Sequence, residues 1–365
     1  MEKESAKKFV LLSGQHNPEA KEVAYIRSHM LSVITLCYNN CAYCAFHGES
    51  KPTVPYVTIK KHKEARQRNV RDVIFVSGER PNKFNDIRAI LDLWGFESYA
   101  DYLYTLCELG FLEGVLPTLE VGFLSPYEMK RIRDIVLSLK IMIDSADPKL
   151  AQTHHKHSPG KRFELRLKTL EFAGKLRIPV STGIMVGIDE RRESRVDAMK
   201  AVLALHRQYD HIQEFIIQPF VPGKGTTLEK KAPPSLQDIQ WTLRKALEIF
   251  PADVPIVIPY FGSDQKLAQL VKDGLRDIGR VCDDLNTGLA SPKITELDKT
   301  LKKGAYQLVE VLPIRQKYLR KGWYSGKLSQ LLDTFRIRLK KDDTERSEGR
   351  RRGPRAKREL EPVLA

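Results

Sequence analysis

Short apolar runs alternate with longer amphipathic segments along most of the chain. The first run, Leu31 to Leu36, is apolar and β-branched and reads as a strand. Lys60 to Asn69 then has helical spacing, and Asp72 to Ser77 is a strand that stops at Gly78. Asp86 to Trp94 and Tyr99 to Leu109 read as helices, followed by a strand at Thr118 to Val121 closed by Gly122. Pro126 to Ser138 is a helix with proline in its first turn, and Leu139 to Ile143 is a strand that ends at Asp144. The same alternation continues through helices at Phe163–Leu176, Ser194–Tyr209, Leu236–Phe250 and Gln265–Asp273. Between and after them lie strands at Pro179–Val186, Glu214–Gln218 and Val254–Pro259, and a short eighth strand at Asp277–Gly279. Strands apolar throughout their length belong to a parallel sheet covered by helices on its outer side. At eight repeats the α/β pattern predicts a closed (β/α)8 TIM-like barrel. Active sites of such barrels lie at the C-terminal ends of the strands. Ser77 to Glu79, Glu120 to Gly122, Asp144, Gly187 and Gln218 all fall there.

The first strand leads into Cys37, Cys41 and Cys44, a C-x3-C-x2-C run on one loop. Three thiolates can hold three irons of a cubane iron–sulfur cluster and leave the fourth open to a ligand. Two other readings of the spacing stand beside it. With His47 the cysteines would make a Cys3His zinc site, or they are small buried hydrophobes. Five cysteines with three crowded together do not form a disulfide framework, and Cys107 and Cys282 are too few for a second four-thiolate cluster.

A hydrophobic content of 42% suffices for a full core, and no run of 18 apolar residues or signal-peptide pattern is present. The expectation is a soluble, cytoplasmic protein with no membrane partner. The net charge of +15 points to acidic or phosphorylated partners, but it is scattered, as in Lys60, Lys61, Lys63, Arg66, Arg68 and Arg71. Residues 340–361 carry nine Lys/Arg against six Asp/Glu, a net of only +3, and their composition predicts a disordered basic tail. Scattered charge of this kind is a solvated surface, and nucleic acid is not the expected partner. The domain reading is an extension over 1–24, a barrel over 25–338 and the tail over 339–365.

With an aromatic residue, Tyr43, before the last cysteine, the motif resembles that of the radical S-adenosylmethionine superfamily. Several other motifs narrow the resemblance. They are Ser77 to Pro81, His154 to Lys161 with Arg166 and Leu167 behind, Gly183 to Gly187, His211 to Gln218, and Leu312, Pro313, Tyr318, Gly322 and Trp323. Together they resemble the ring-closing subunits of the 7,8-didemethyl-8-hydroxy-5-deazariboflavin synthases over residues 25–330. The resemblance implies a radical-type barrel holding a [4Fe-4S] cluster on Cys37, Cys41 and Cys44, with S-adenosylmethionine chelated at the open iron. It also implies a lyase that closes the deazaflavin ring of an adduct between a tyrosine-derived hydroxybenzyl group and 5-amino-6-ribitylaminouracil, with loss of ammonia. A partner radical enzyme would supply the adduct, and ferredoxin or flavodoxin the electrons.

The resemblance carries over residue by residue. Gly78 lets backbone approach the methionine amino group and Glu79 accepts from it. Asp144 accepts from the ribose, Arg166 pairs with the methionine carboxylate, Gly183 and Gly187 pass beneath the adenine, and Tyr43 lies near it. On the substrate side stand His155, from the loop containing His154 and His157, together with Gln218 and Gln213. An amide at Gln218 can pair with a pyrimidinedione edge. The three histidines by themselves could also be a metal cluster. The chain departs from the family after the eighth strand, where Asp277 to Asn286 replaces a Trp-Gly-Gly and a Ser-Pro-Val-Thr segment. Pro219 stands for an asparagine, Asp144 for a glutamate and Asp189 for a glycine. The changes at Pro219 and after strand eight, around Arg280 and Cys282, are expected to line the substrate pocket and leave the cofactor chemistry untouched. Two alternatives remain: a related radical enzyme acting on another small aromatic or heterocyclic metabolite, and a zinc-stabilised nucleic-acid-binding protein.

Overall fold

Eight parallel strands form a closed barrel in the structure, a computed structural model that describes residues 21–46, 51–282, 294–320 and 322–337. They are β1 (Glu22–Ile34), β2 (Asp72–Ser77), β3 (Leu116–Glu120), β4 (Ser138–Lys140), β5 (Val180–Val186), β6 (Ile212–Pro219), β7 (Ile256–Val257) and β8 (Asp277–Cys282). Each pairs with its sequence neighbour, and β1 closes the ring by pairing with both β2 and β8. The strands are apolar throughout because helices cover their outer faces while side chains fill the barrel. Every residue of β2, Asp-Val-Ile-Phe-Val-Ser, is buried.

Helices α1 (Pro55–Gln67), α2 (Asn85–Leu93), α3 (Tyr99–Leu112), α4 (Pro126–Ile132), α5 (Pro148–Gln152), α6 (Phe163–Lys175), α7 (Arg192–Tyr209), α8 (Leu236–Ile249) and α9 (Asp264–Lys272) fill the crossovers. Their starts are written locally. Ser98, Ser125, Ser235 and Ser263 each cap a helix through the side-chain oxygen, and Ser125 with Glu128 forms a reciprocal capping box. One continuous apolar core joins strands and helices, and each fully buried Val, Leu, Ile or Phe contributes roughly 1.5–3 kcal/mol.

The barrel and all eight strands agree with the periodicity, while several boundaries move. Strand β1 starts at Glu22 and runs 13 residues, so a division at 24/25 cuts a strand whose Val23 and Ala24 are fully buried. Its early residues pair with β8 and with β9 (Gln307–Glu310), an added strand with no apolar alternation strong enough to flag it. Helix α1 begins at Pro55, and α4 ends at Ile132 because the chain must turn into β4. Only Ile256 and Val257 pair in β7, since Pro255 and Pro259 have no N–H to give a ladder. Helix α10 (Ile294–Lys302) precedes β9. His47, residues 283–293 and the tail from 338 lie outside the described residues. No helix among the described residues is long and apolar enough to cross a membrane.

Candidate active site

The cysteine loop leaves β1 at the C-terminal rim of the barrel and is pinned by backbone bonds. Tyr38 N–H donates to Glu79 O at 2.9 Å, Asn40 N–H to His157 O at 3.0 Å and Ala42 N–H to His154 O at 3.0 Å. Gly160 N–H donates to the Asn39 side chain at 2.9 Å. The histidine loop thus shapes the cysteine loop through its carbonyls, while its rings point to different partners. His154 Nε2 meets Asp189 at 2.8 Å, and His155 Nε2 meets the Tyr43 hydroxyl at 2.8 Å. All five cysteines are free thiols. Glu79 N–H donates to Cys37 Sγ at 3.2 Å, and Cys41 packs with Tyr43, Leu150, Ile188 and Phe220.

Inside the rim is a cavity of about 430 Å³, within the range of small-molecule sites. It receives Cys37, Cys41, Cys44, Tyr43, Gly78, Glu79, Asp144 and Gln218 from the ends of β1, β2, β4 and β6, and Arg166 from helix α6. A groove of about 390 Å³ near Arg80, Arg88 and Tyr127 contains no cysteine and mixes both signs of charge without converging groups.

Three ion pairs line the cavity. Arg166, 2% exposed, donates to Glu79 Oε2 at 2.5 Å, and Arg166 Nε is left without a partner. Burial alone would raise the Glu79 carboxyl, but Arg166 and Lys161 outweigh it and hold it below the usual carboxylate range. Asp144 is paired with Lys161 and accepts weakly from Tyr43 Oη at 3.4 Å. Burial opposes its ionisation too, and Lys161, His155 and Arg166 overcome that, so its carboxyl is also depressed. The third pair is Glu120–Lys140 at 2.9 Å. Glu120 falls among the strand-end positions and Lys161 closes the His154–Lys161 motif, but the sequence assigns neither a partner, and Lys140 carries no signal beyond sharing one strand parity with Met142 and Asp144.

The glycines have specific neighbours. A Cβ at Gly78 would fall 2.1 Å from Leu36 O, and one at Gly183 would fall 1.9 Å from Ile216 O in the adjoining strand. Gly183 therefore answers the close approach of β5 to β6. Gly187 has φ +103° and lies against Pro234. Asp144 and Asp189 have φ of 65° and 71°, and Asp189 holds His154 and Lys231 on the surface.

Two substrate-side residues are not brought to the cavity wall. Gln213 sits at the N-terminal end of β6, fully buried, donating to Ser181 Oγ at 3.0 Å, five residues before Gln218. His155 lies behind Tyr43, and burial pushes its imidazole down to about 4. Pro219 does line the cavity, whereas Arg280 and Cys282 do not. Arg280 is turned into the barrel beneath it, bonding Asp72 at 2.8 Å and Thr118 at 3.1 Å, with Glu214 at 3.6 Å. In sequence Arg280 is a lone charge in a strand, and the closed barrel supplies it with Asp72 and Glu214.

Elsewhere, His206, Asp210 and Asp253 bring three metal-type ligands together, but Lys317 already bridges the two carboxylates at 2.9 and 2.8 Å.

A sequence model of the Radical SAM superfamily matches residues 31–202. The chain is 34% identical to the 7,8-didemethyl-8-hydroxy-5-deazariboflavin synthase of Methanosarcina barkeri, over 87% of this chain and 100% of that one. It is 32% identical to the synthase of Archaeoglobus fulgidus, over 86% of this chain and 97% of that one. In fold it is similar to the FeFe-hydrogenase maturase of Carboxydothermus hydrogenoformans, with a TM-score of 0.64 at 16% identity, covering 79% of this chain and 68% of that one. A methylornithine synthase gives 0.58 at 15% identity, covering 84% and 94%.

The superfamily uses a [4Fe-4S] cluster and S-adenosylmethionine, and the residues present fit both. Burial pushes the Cys41 and Cys44 thiols up, so as bare thiolates they would lack a compensating charge that a cationic iron centre supplies. Beside them, the cavity offers buried carboxylates and an unpartnered guanidinium nitrogen to a zwitterionic ligand. The chain belongs to the radical S-adenosylmethionine superfamily and, within it, to the family of the 7,8-didemethyl-8-hydroxy-5-deazariboflavin synthases.

Proposed function

We propose that the chain forms 7,8-didemethyl-8-hydroxy-5-deazariboflavin. It closes the ring of the adduct between a tyrosine-derived hydroxybenzyl group and 5-amino-6-ribitylaminouracil, with loss of ammonia. The observation that carries the reading is the 34% identity running the whole length of the Methanosarcina barkeri synthase. When bound, the cluster and S-adenosylmethionine supply a 5′-deoxyadenosyl radical for hydrogen abstraction. Cys37, Cys41 and Cys44 would hold three irons of the cluster. Glu79, kept ionised by Arg166, would accept from the methionine amino group, and Arg166 Nε keeps one donor for the carboxylate. Asp144 would orient the ribose, with Tyr43 and Lys161 fixing its carboxylate. Among the described residues two amides line the cavity; Asn39 is engaged by Gly160 N–H, and Gln218 would pair with a pyrimidinedione edge. A partner radical enzyme would make the adduct, and a low-potential ferredoxin or flavodoxin would deliver electrons.

The test is anaerobic reconstitution with iron and sulfide, followed by the adduct, S-adenosylmethionine and a reductant. Deoxyadenosine together with fluorescent deazaflavin is expected. Deoxyadenosine alone would reject the substrate, and bound zinc without labile sulfide would reject the chemistry.

A further inference from the structure

Inward positions of β4 and its extension are Ser138, Lys140, Met142 and Asp144, and those of β3 are Thr118 and Glu120, with Gly122 in the turn that follows. Lys140, Met142, Asp144, Glu120 and Gly122 all line the cavity, while Thr118 and Ser138 meet below it at 3.0 Å. Lys140 pairs with Ser181 and Asp144 with Ile184, three positions further along β5, which puts Lys140 roughly 10 Å further down the strand than the cofactor-side pair. Glu120 and Lys140 are therefore the charged pair at the floor.

Lys140 Nζ lies 2.9 Å from Glu120 Oε1 and 3.0 Å from Oε2. Their side chains are 20% and 29% exposed, against 0% for Asp72 and 4% for Glu214 in the network below. A ligand in the cavity can thus reach both. Around them the wall is apolar, with Met30, Val76 and Met185. An accessible ion pair contributes only about 0–1 kcal/mol to stability, so the fold does not require one here.

We propose that Glu120 and Lys140 are the base and acid of the ammonia-forming elimination, an inference that rests on the ring-closing reading above. An amine departs from carbon as neutral ammonia only if its nitrogen gains a proton as the C–N bond breaks. Lys140 gives that proton, and the C–N electron pair stays on nitrogen. The electrons of the neighbouring C–H bond become the new double bond, and Glu120 takes the released proton. One proton is given and one is taken, with no oxidant used in the step. The pair is left as a carboxylic acid and an amine 2.9 Å apart, and a direct transfer between them restores it. Among the other described cavity groups, Arg166 does not give up a proton, and Lys161, though as exposed as Lys140, is paired with a nearly sealed carboxylate, Asp144 at 3% against 29% for Glu120, on the cofactor side. The Tyr43 hydroxyl is held by His155 Nε2 at 2.8 Å and by Asp144 at 3.4 Å.

The variants K140R and E120Q keep a hydrogen-bonded pair while removing the transferable proton and the base. Reconstituted holoenzyme with the purified adduct is assayed for iron and sulfide, deoxyadenosine, ammonia, deazaflavin fluorescence and product mass. Both variants are expected to retain the cluster and deoxyadenosine formation. They should release ammonia and deazaflavin at least about 100-fold more slowly, the lower range for a lost general acid or base. A species one ammonia heavier than the deazaflavin should accumulate. Deazaflavin formation within about threefold of the parent rate would overturn the proposal, since no acid–base contribution would have been lost. Deoxyadenosine formed with the adduct recovered unchanged would overturn it too, because the pair would then be a binding contact. Should K140R lose its cluster, the uncharged double variant E120Q/K140M is held to the same outcomes. Parent enzyme that makes deoxyadenosine but no deazaflavin would sink the ring-closing reading itself, independently of either variant.

Discussion

Removing one member of the Glu79–Arg166 pair should be costly, and removing both should be less so. Each side chain is nearly sealed, with 4% of Glu79 and 2% of Arg166 exposed, and they meet at 2.5 Å. E79Q leaves a guanidinium in the core, and Asp144, a carboxylate that feels its charge, is already held by Lys161. Breaking a buried pair in this way costs about 3–5 kcal/mol. R166M leaves Glu79 with Lys161 as a second neighbouring cation, so its cost belongs at the lower end, about 3 kcal/mol. At roughly 1.3 °C per kcal/mol for a chain of 365 residues, E79Q should lower Tm by about 4–7 °C. The double variant E79Q/R166M should recover part of that loss, because no uncompensated charge remains. The pH dependence has a definite sign. Glu79 and Asp144 are both depressed in the folded chain, so their stabilisation is present above the unfolded carboxylate value of about 4 and is lost as pH falls through their folded values. E79Q should therefore have a shallower acid limb than the parent. The measurement is thermal unfolding of the apo chain from pH 3 to 8 in parent, single and double variants. Single variants within about 1 kcal/mol of the parent, or a double variant as damaged as the sum of the two, would refute the reasoning.

Further expectations concern packing, titration and thiol access. G183A drives a Cβ to 1.9 Å from the Ile216 carbonyl between two barrel strands and should cost about 3 kcal/mol or more, whereas G326A, with open space around it, should be near neutral. Chemical denaturation of the two variants side by side checks this. His62 sits edge-on to Phe75, and burial, then His29, holds it at about 3, so the unfolded chain takes up its proton first as pH drops. Its contribution to stability is thus lost between about pH 6.5 and 3, and H62L should flatten that part of the stability curve. After iron is chelated from the folded protein, iodoacetamide should label the half-exposed Cys37 and Cys44 well before Cys107. Burial alone pushes the Cys107 thiol far up, and peptide mapping showing equal labelling would contradict that.

Much of the architecture is legible locally. The eight apolar runs, the serine caps and the C-x3-C-x2-C loop are consecutive stretches whose meaning depends on neighbours a few residues away. Strand ends were legible too, which is why Cys37, Gly78, Glu79, Asp144 and Gln218 converge on one cavity as strand-end residues. Depth along a strand was not. Gln218, at the strand tip, is the stronger substrate candidate in sequence and Gln213 the weaker, and β6 puts Gln218 at the cavity and Gln213 five residues earlier, buried against Ser181. Partnership was hidden for the same reason. Arg166 lies 87 residues from Glu79, Arg280 lies 208 from Asp72, and Lys140, inside the strand Leu139 to Ile143, has no visible partner until β3 presents Glu120. The sequence by itself determined the alternation of strands and helices and the thiol chemistry of the first loop, because these follow from periodicity and spacing within one segment. Closure of the barrel decided which charges meet, since register and strand stagger bring residues distant in the chain to the same height and only there supply each buried charge with its counterion.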